Sequence, residues 1–491
     1  MSIFIAENSK YIILILFLAY LIGCVWNNKC TDIMQKILIY IIHFVGFLCL
    51  LVSKGDIQLV GFYLLQILLI SGVMIGYHLV YKKGHSLLTN HICMFFVISM
   101  IILTRISFGE AFRQFVFWCV GFCGIMILPL LFKKGELFRR YSALYAIVGI
   151  VLLALVVFIG ATSYGAKLHL QLGPISFQPS EFVKIVFIVF IAAMLYKETS
   201  TKRIILTSAL SAIFVLCLVA ARDLGGALLY FTTYLMMIYM VLRKKYVLGL
   251  GTIGICIAAV AGYFLFSHVR TRVFAWLTPL ADFNNKGYQI SQSLFGIGTG
   301  GWFGFGIGNG KPTLIPIVEK VFIFSAISEE FGAIFGIGLI LLIASAFWTI
   351  IEIGKKSADR FYQLICVGMA VIYVTQVILT IGGAIKFIPS TGVTLPLVSY
   401  GGSSLLASLL MFGIVQAIHL KAQQNQAVSK GVMDQDAQKD LEMCKGEEIK
   451  ELKIVRWVFM GIIIVMVLYF LYFMFFESPI YIYSEYNKLM S

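Results

Sequence analysis

The chain has 491 residues, 60% of them hydrophobic and only 12% charged, about half the charged share of a soluble domain. One soluble core cannot hide that much apolar surface, so a soluble globular protein is excluded and a polytopic membrane protein is expected. The net charge of +15 sits in short clusters between apolar runs, which suits anionic lipid and argues against nucleic acid as a partner.

A helix needs about 20 apolar residues to cross the hydrocarbon. The candidate spans in chain order are 11–26, 37–53, 59–81, 91–104, 111–132, 141–160, 181–196, 204–221, 225–242, 248–266, 333–351, 361–383, 399–420 and 454–475. The segment 91–104 is short, so a longer, tilted or partly re-entrant helix is expected there. Leu21-Ile22-Gly23-Cys24 resembles a lipoprotein cleavage box, but only Lys10 supplies an n-region and another span follows closely, so 11–26 is read as a span. The ten cysteines are scattered, mostly in apolar runs, with no CxxC pair and no zinc-like ligand set.

Every second loop is basic. Lys29 and Lys36 fall in one, then Lys82 and Lys83, then Lys133, Lys134, Arg139 and Arg140, then Lys197, Lys202 and Arg203. Arg243, Lys244 and Lys245 follow, then Lys355, Lys356 and Arg360. The positive-inside rule puts these loops in the cytoplasm and the N-terminus outside. The charged stretch 421–453 is then a partly helical cytoplasmic linker, and 454–475 returns the tail to the outer side. Three outer loops, 161–180, 267–332 and 384–398, are rich in Gly, Pro and polar residues, and function concentrates on such loops.

Four constellations carry candidate chemistry. Around Pro179, Gln178, Ser180, Glu181 and Lys184 fit helix-start chemistry, with Glu181 favoured by the dipole and one turn from Lys184; they also fit a polar site. Arg222-Asp223 lies between two spans, where charges are costly unless paired or facing a polar cavity. It reads equally as a neutralised structural pair or as an anion-binding Arg oriented by a carboxylate. The long loop carries Gln289 and Gln292, then a glycine run from Gly296 to Gly310, whose backbone N–H groups can cradle phosphate or simply turn; Glu329 and Glu330 follow. The fourth runs from Lys386 through Ser390, Thr391, Pro396, Ser399, Tyr400 and Ser403. Non-helical backbone at membrane depth is tolerated only inside protein or against a wet cavity, so a water-filled outer pocket between Pro179 and Pro396 is expected.

In this order, Phe177–Glu181, Asp223-Leu224-Gly225, Tyr288–Gly310, Phe322–Gly332 and Pro389–Ser404 resemble the SEDS family (shape, elongation, division and sporulation) typified by FtsW, RodA and SpoVE. The likeness covers roughly residues 91–420. It implies an all-α, polytopic transmembrane helix bundle in the bacterial cytoplasmic membrane, with a ten-helix core and about four extra spans. Residues 1–90 would add three helices before the core, 421–453 would be the linker, and 454–491 a further helix and external tail.

The resemblance implies peptidoglycan polymerisation from lipid II, a polyprenyl-diphosphate-linked precursor, at the outer face, with a class B penicillin-binding protein as partner and an outer pocket wide enough for a polyprenyl-linked sugar. No cofactor is implied with certainty; a divalent cation is compatible with the chemistry. A sugar hydroxyl attacks an anomeric carbon and diphosphate leaves, which calls for a carboxylate base and for cations or N–H donors. Lys167, Arg222 and the Gly loop are candidates for the second role. The family's Ser-Asp or Thr-Asp pair before Phe-Ile-Phe, whose Asp is taken as the catalytic carboxylate, is here Lys320-Val321, and the Arg-Trp after the Ala-Lys pair is Leu168-His169. Three carboxylates are candidates to replace the base: Glu319, Glu330 and Asp223. The alternatives are a non-catalytic paralogue that binds precursor or scaffolds a synthase, and a lipid II flippase.

Overall fold

The computed structural model describes residues 2–26, 28–81, 84–132, 139–163, 166–172, 175–197, 200–429, 435–478 and 481. Lys82, Lys83, Lys133, Lys134, Gly173 and Pro174 lie outside the described residues.

The order is α1 (Ser2–Trp26), α2 (Lys29–Lys54), α3 (Gln58–Val80), α4 (Ser86–Ile106), α5 (Phe108–Phe132), α6 (Ser142–Ile159), β1 (Ala161–Ser163), β2 (Ala166–Leu172) and β3 (Ile175–Phe177). There follow α7 (Pro179–Leu195), α8 (Thr201–Ala220), α9 (Leu224–Leu242), α10 (Tyr246–Leu265), α11 (Ser267–Leu277), α12 (Tyr288–Gly300) and α13 (Ile323–Phe331). Last come α14 (Ala333–Lys356), α15 (Arg360–Ala384), α16 (Gly402–Ser429) and α17 (Gln435–Tyr472). Thirteen described helices are long and apolar enough to cross a membrane. The 17-residue α7 corresponds to the remaining expected span, 181–196.

Three sequence expectations change in detail. The short candidate 91–104 belongs to the 21-residue helix α4, which starts five residues earlier. Its first turns hold Thr89, Asn90 and His91, all buried. The loop 161–180 contains a small antiparallel sheet, order β1-β2-β3, pairing Leu170 with Phe177 and Ala161 with His169. Alternation of Lys167, His169 and Gln171 with Leu168, Leu170 and Leu172 is the period of a strand. Half of the long loop 267–332 is helical, in α11, α12 and α13.

Helix position follows burial. The most apolar windows of α4 and α15 are 100% buried, so these helices form the centre of the bundle, whereas that of α10 is only 6% buried and faces outward almost all round. Helices α5 and α16 approach closely through small residues: a Cβ at Gly121 would strike Leu409, and one at Gly413 would come within 2.7 Å of Leu128 Cδ1. Polar side chains fasten the first helices to the core. Asn90 donates to Asp32 Oδ1 at 2.9 Å and Gln35 Oε1 at 3.1 Å, and His91 joins Tyr20 and Ser345, each at 3.0 Å.

Among the described residues, the basic clusters gather at one end of the bundle. There Arg139 pairs with Asp359 and lies over the rings of Tyr196, Phe361 and Tyr362. The sheet, the Gly-rich turns and the 385–401 stretch lie at the opposite end.

Replacing Gly121 by leucine drives a side chain into Leu409 and should destabilise the α5–α16 pair by about 1–3 kcal/mol. Thermal unfolding in detergent reads this as a lowered midpoint against wild type.

Candidate active site

Pro179 starts α7 at a position where its missing N–H costs nothing. This sets Glu181 and Lys184 one turn apart, bonded at 2.5 Å and both buried. The Lys184 ammonium also donates to Gln376 Oε1 at 3.0 Å. Gln376, from central α15, donates in turn to the Thr394 carbonyl at 3.0 Å and Ser404 Oγ at 3.3 Å. Gln178 N donates to Ser403 Oγ at 3.1 Å, and the Gln178 amide reaches Ser180 Oγ at 3.2 Å. The first and fourth constellations are therefore one buried polar network.

The stretch after α15 satisfies its backbone with side chains. Ser399 Oγ donates to the Lys320 carbonyl at 2.5 Å and accepts from Leu395 N at 2.9 Å. Tyr400 N donates to the Glu319 carbonyl at 2.8 Å, and the Lys320 ammonium lies 5.9 Å from the Tyr400 ring centre. Gln114 donates to the Ser399 carbonyl and accepts from Gly401 N. The 319–321 turn is thus docked on the fourth constellation, with Val321 half-buried against the core.

Asp223 caps α9, accepting from Gly226 N at 2.8 Å. Arg222 before it is exposed and takes a left-handed backbone, φ 63°. Burial pushes the Asp223 carboxyl up to about 6, held back by the Gly226 N–H, with Glu181 adding to the rise and Arg272 opposing it. Arg272, on α11, is lowered by its own burial, with Asp223 supporting its charge. His268, also on α11, is lowered by burial and then by Arg272 and Arg222. His169, on β2, is lowered by burial and by Lys320, and is supported by Glu181. Glu181, Asp223, Arg272, His169 and Lys320 consequently share one electrostatic neighbourhood. The sequence reading missed Arg272 and His268: its only signal for them was the spacing of basic residues along an amphipathic outer segment.

Two polar atoms here, His169 Nδ1 and Thr391 Oγ1, are buried without a hydrogen-bond partner, and such atoms call for an explanation such as water or ligand. A pocket between Lys167, Ser180, Leu218 and Asp223 has room for about one water molecule. The polar stretches near Pro179 and Pro396 do meet, but this pocket is far narrower than the expected cavity for a polyprenyl-linked sugar.

The remaining candidates are more dispersed. Lys167 spends its ammonium on the Val157 carbonyl at 2.7 Å, capping the end of α6. Gln289 is exposed at the first turn of α12 and Gln292, three residues on, is buried. Ser390 packs beside Gly383. Lys386 has φ 62° and bonds Tyr481 OH at 3.4 Å. Glu319 is half-buried beside Glu110, Lys320 and Arg113.

Glu330 is fully buried and pairs with Arg105 at 3.0 Å, while its second oxygen accepts from Gly308 N at 2.6 Å. Arg105 also donates to the Gly310 carbonyl at 2.8 Å. Phe305 N and Gly306 N bond the carbonyls of Glu329 and Glu330, and Lys311 N bonds Glu329 Oε1 at 2.6 Å. The Gly-rich run is therefore a turn folded onto the α13–α14 junction, with Gly308 at φ 98°. These amides are spent internally and cannot cradle a diphosphate, and both Glu330 oxygens are engaged. Burial raises the Glu330 carboxyl to about 7, against Arg105 and the Gly308 N–H. Among the described residues, no group of three His, Cys, Asp or Glu is placed to hold a metal ion.

A family model for the FtsW, RodA and SpoVE cell cycle proteins matches residues 83–424. The chain belongs to this family. Peptidoglycan glycosyltransferase RodA of Mycobacterium tuberculosis (strain ATCC 25618 / H37Rv) is 34% identical over 333 residues, covering 63% of this chain and 70% of that one. Stage V sporulation protein E of Bacillus subtilis (strain 168) is 32% identical over 323 residues, covering 63% and 86%. Among solved structures, a chain of a peptidoglycan synthase complex is 26% identical with a TM-score of 0.60, covering 70% of this chain and 99% of its own. Thermus thermophilus RodA, 23% identical with a TM-score of 0.53 over 69% of this chain and 97% of its own, shares the fold. Residues 1–82 and 425–491 of this SEDS protein lie outside the family match.

Arg105→Ala leaves the Glu330 carboxylate buried without its cation and should cost about 3–5 kcal/mol. Glu330→Gln keeps an acceptor for Gly308 N and should cost less. Melting curves of the two variants give the order.

Proposed function

We propose that this SEDS protein is a peptidoglycan glycosyltransferase that polymerises lipid II at the outer face of the bacterial cytoplasmic membrane. The observation that carries the reading is the network from Glu181 and Lys184 through Gln376 to Thr394 and Ser404, which draws two distant family segments together beside Asp223 and Arg272. The end that holds it is opposite the basic clusters, which the positive-inside rule places in the cytoplasm. The names of the relatives as peptidoglycan glycosyltransferases support the same activity.

In the reaction a sugar hydroxyl of one precursor attacks the anomeric carbon of another. The bond from that carbon to the diphosphate oxygen breaks, the diphosphate leaves with the electron pair, and a carboxylate takes the hydroxyl proton. With valine at 321, Asp223 is the carboxylate best suited to that task. It lies beside Glu181 and Arg272, and a pKa of about 6 leaves it ionised at neutral pH yet basic enough to accept a proton. Glu181 is held by Lys184 and Glu330 by Arg105. Arg272 and Arg222 form the cationic rim for the diphosphate, with the neutral ring of His268 beside them. A divalent cation would bind chiefly through the diphosphate itself. The polymerase would work with a class B penicillin-binding protein, which joins strands by transpeptidation.

One observation favours a second reading. Val321 cannot accept a proton, and this suits a paralogue that binds precursor and scaffolds a partner synthase.

Purified protein with lipid II, with and without Mg²⁺ and a class B penicillin-binding protein, should yield glycan polymer. No polymer under any of these conditions would sink the enzyme and leave the scaffold. Val321→Asp should raise the rate. Asp223→Asn should lower it by about 10²–10⁴.

The pH profile follows from the Asp223 value. The base works only when ionised, so the wild-type rate should fall about tenfold per unit below pH ~6 and level off above it. A rate independent of pH between 5 and 8 would assign the proton to another group.

A further inference from the structure

Helix α17 lies outside the family match, yet its outer end is built into the site's rim. It packs along α14 and α15, with Arg456 over the Trp348 ring at 3.7 Å and bonded to Glu352 at 3.3 Å. At the far end Tyr469 OH donates to the Lys386 carbonyl at 3.1 Å, and its ring lies 5.3 Å from that of Phe387. Tyr481 accepts from the Lys386 ammonium and its ring lies 6.1 Å from that of Phe295. Phe475 meets Trp302 in the Gly-rich turn at 4.9 Å.

Lys386 is where α15 gives way to the irregular stretch that carries Thr391 to Ser404, and it holds a left-handed backbone at φ 62°. Its carbonyl accepts a second bond, from Trp276 Nε1 on α11 at 2.9 Å. Trp276 is one turn after Arg272, on the same side of α11. The Arg272 guanidinium in turn rests on Gly392, where an added Cβ would come within 3.3 Å of Nη2. One carbonyl thus links the appended helix, the irregular stretch and the arginine that faces Asp223.

We propose that α17 is a built-in positioning element: Tyr469 fixes the Lys386 carbonyl, and through Trp276 this carbonyl sets Arg272 against Asp223. Tyr469 and Lys386 are positioning residues that touch neither substrate nor reacting atoms. The catalytic consequence rests on the polymerase reading above; the placement of the two segments does not.

The test uses the full-length protein in lipid nanodiscs, with Tyr469→Phe removing one hydroxyl. Lys386→Gly is the companion variant, because glycine accepts the left-handed backbone while losing the ammonium. Hydrogen exchange in 385–392 and 267–277 should speed up by about threefold to tenfold in Tyr469→Phe, the worth of one hydrogen bond, with central α4 unchanged. Asp223 is faced by Glu181 and Arg272, so a loosened Arg272 should also move the acid limb of the polymerisation profile to higher pH. A simple loss of folded protein would scale that profile without shifting it. Unchanged exchange in both segments overturns the proposal whatever the rate. Faster exchange with an unshifted limb overturns the positioning and reduces Tyr469 to a fold contact. If wild-type protein makes no polymer, the enzyme reading fails and the exchange measurement alone decides this one.

Discussion

The buried ammonium of Lys184 is the interaction on which the site depends. An unpaired charge at that depth is prohibitively costly, and this one is satisfied by Glu181 on its own helix and by Gln376 from the centre of the bundle. Gln376 can then offer its amide to the Thr394 carbonyl. A stretch of backbone that could not survive against lipid is thereby given internal partners. Ser399, Gln114 and Ser99 complete the same task, the last by donating to the Val398 carbonyl at 2.8 Å. Removing any one of these donors leaves its own carbonyl buried without a partner.

A second, separate constraint shapes the long outer segment. Arg105 and Glu330 bind the Gly-rich turn to the α13–α14 junction from 225 residues apart. Tight turning needs the glycines, and the turn's amides need the two carboxylates. The outcome is a rigid buttress beside the polar network. It leaves the proposed handling of negative charge to Arg222 and Arg272.

Much of this was legible before any coordinates. Apolar length located the spans, and the Gln178–Glu181 and Ser399–Ser404 segments carried the family likeness. Hydropathy shortened α4 because Thr89 and Asn90 look like a loop. They are helical because α2 and α16 supply partners that only tertiary structure reveals. The sheet around β2 was readable from its alternating residues, yet the glycines and prolines on either side spoke for a loop. No spacing rule could pair Arg105 with Glu330 or bring Arg272 to Asp223. Those meetings depend on helix packing across the bundle, and they moved Glu330 from candidate base to brace.

The appended helices also change what the outside of the bundle offers its neighbours. Helices α1 and α17 both lie on α14, and α17 continues across α15, so this flank is already occupied by the chain itself. A second membrane protein wanting to lay a single helix alongside would find that seat taken. The bare surfaces of α6, α8 and α10, each less than a quarter covered, are where such a companion has room.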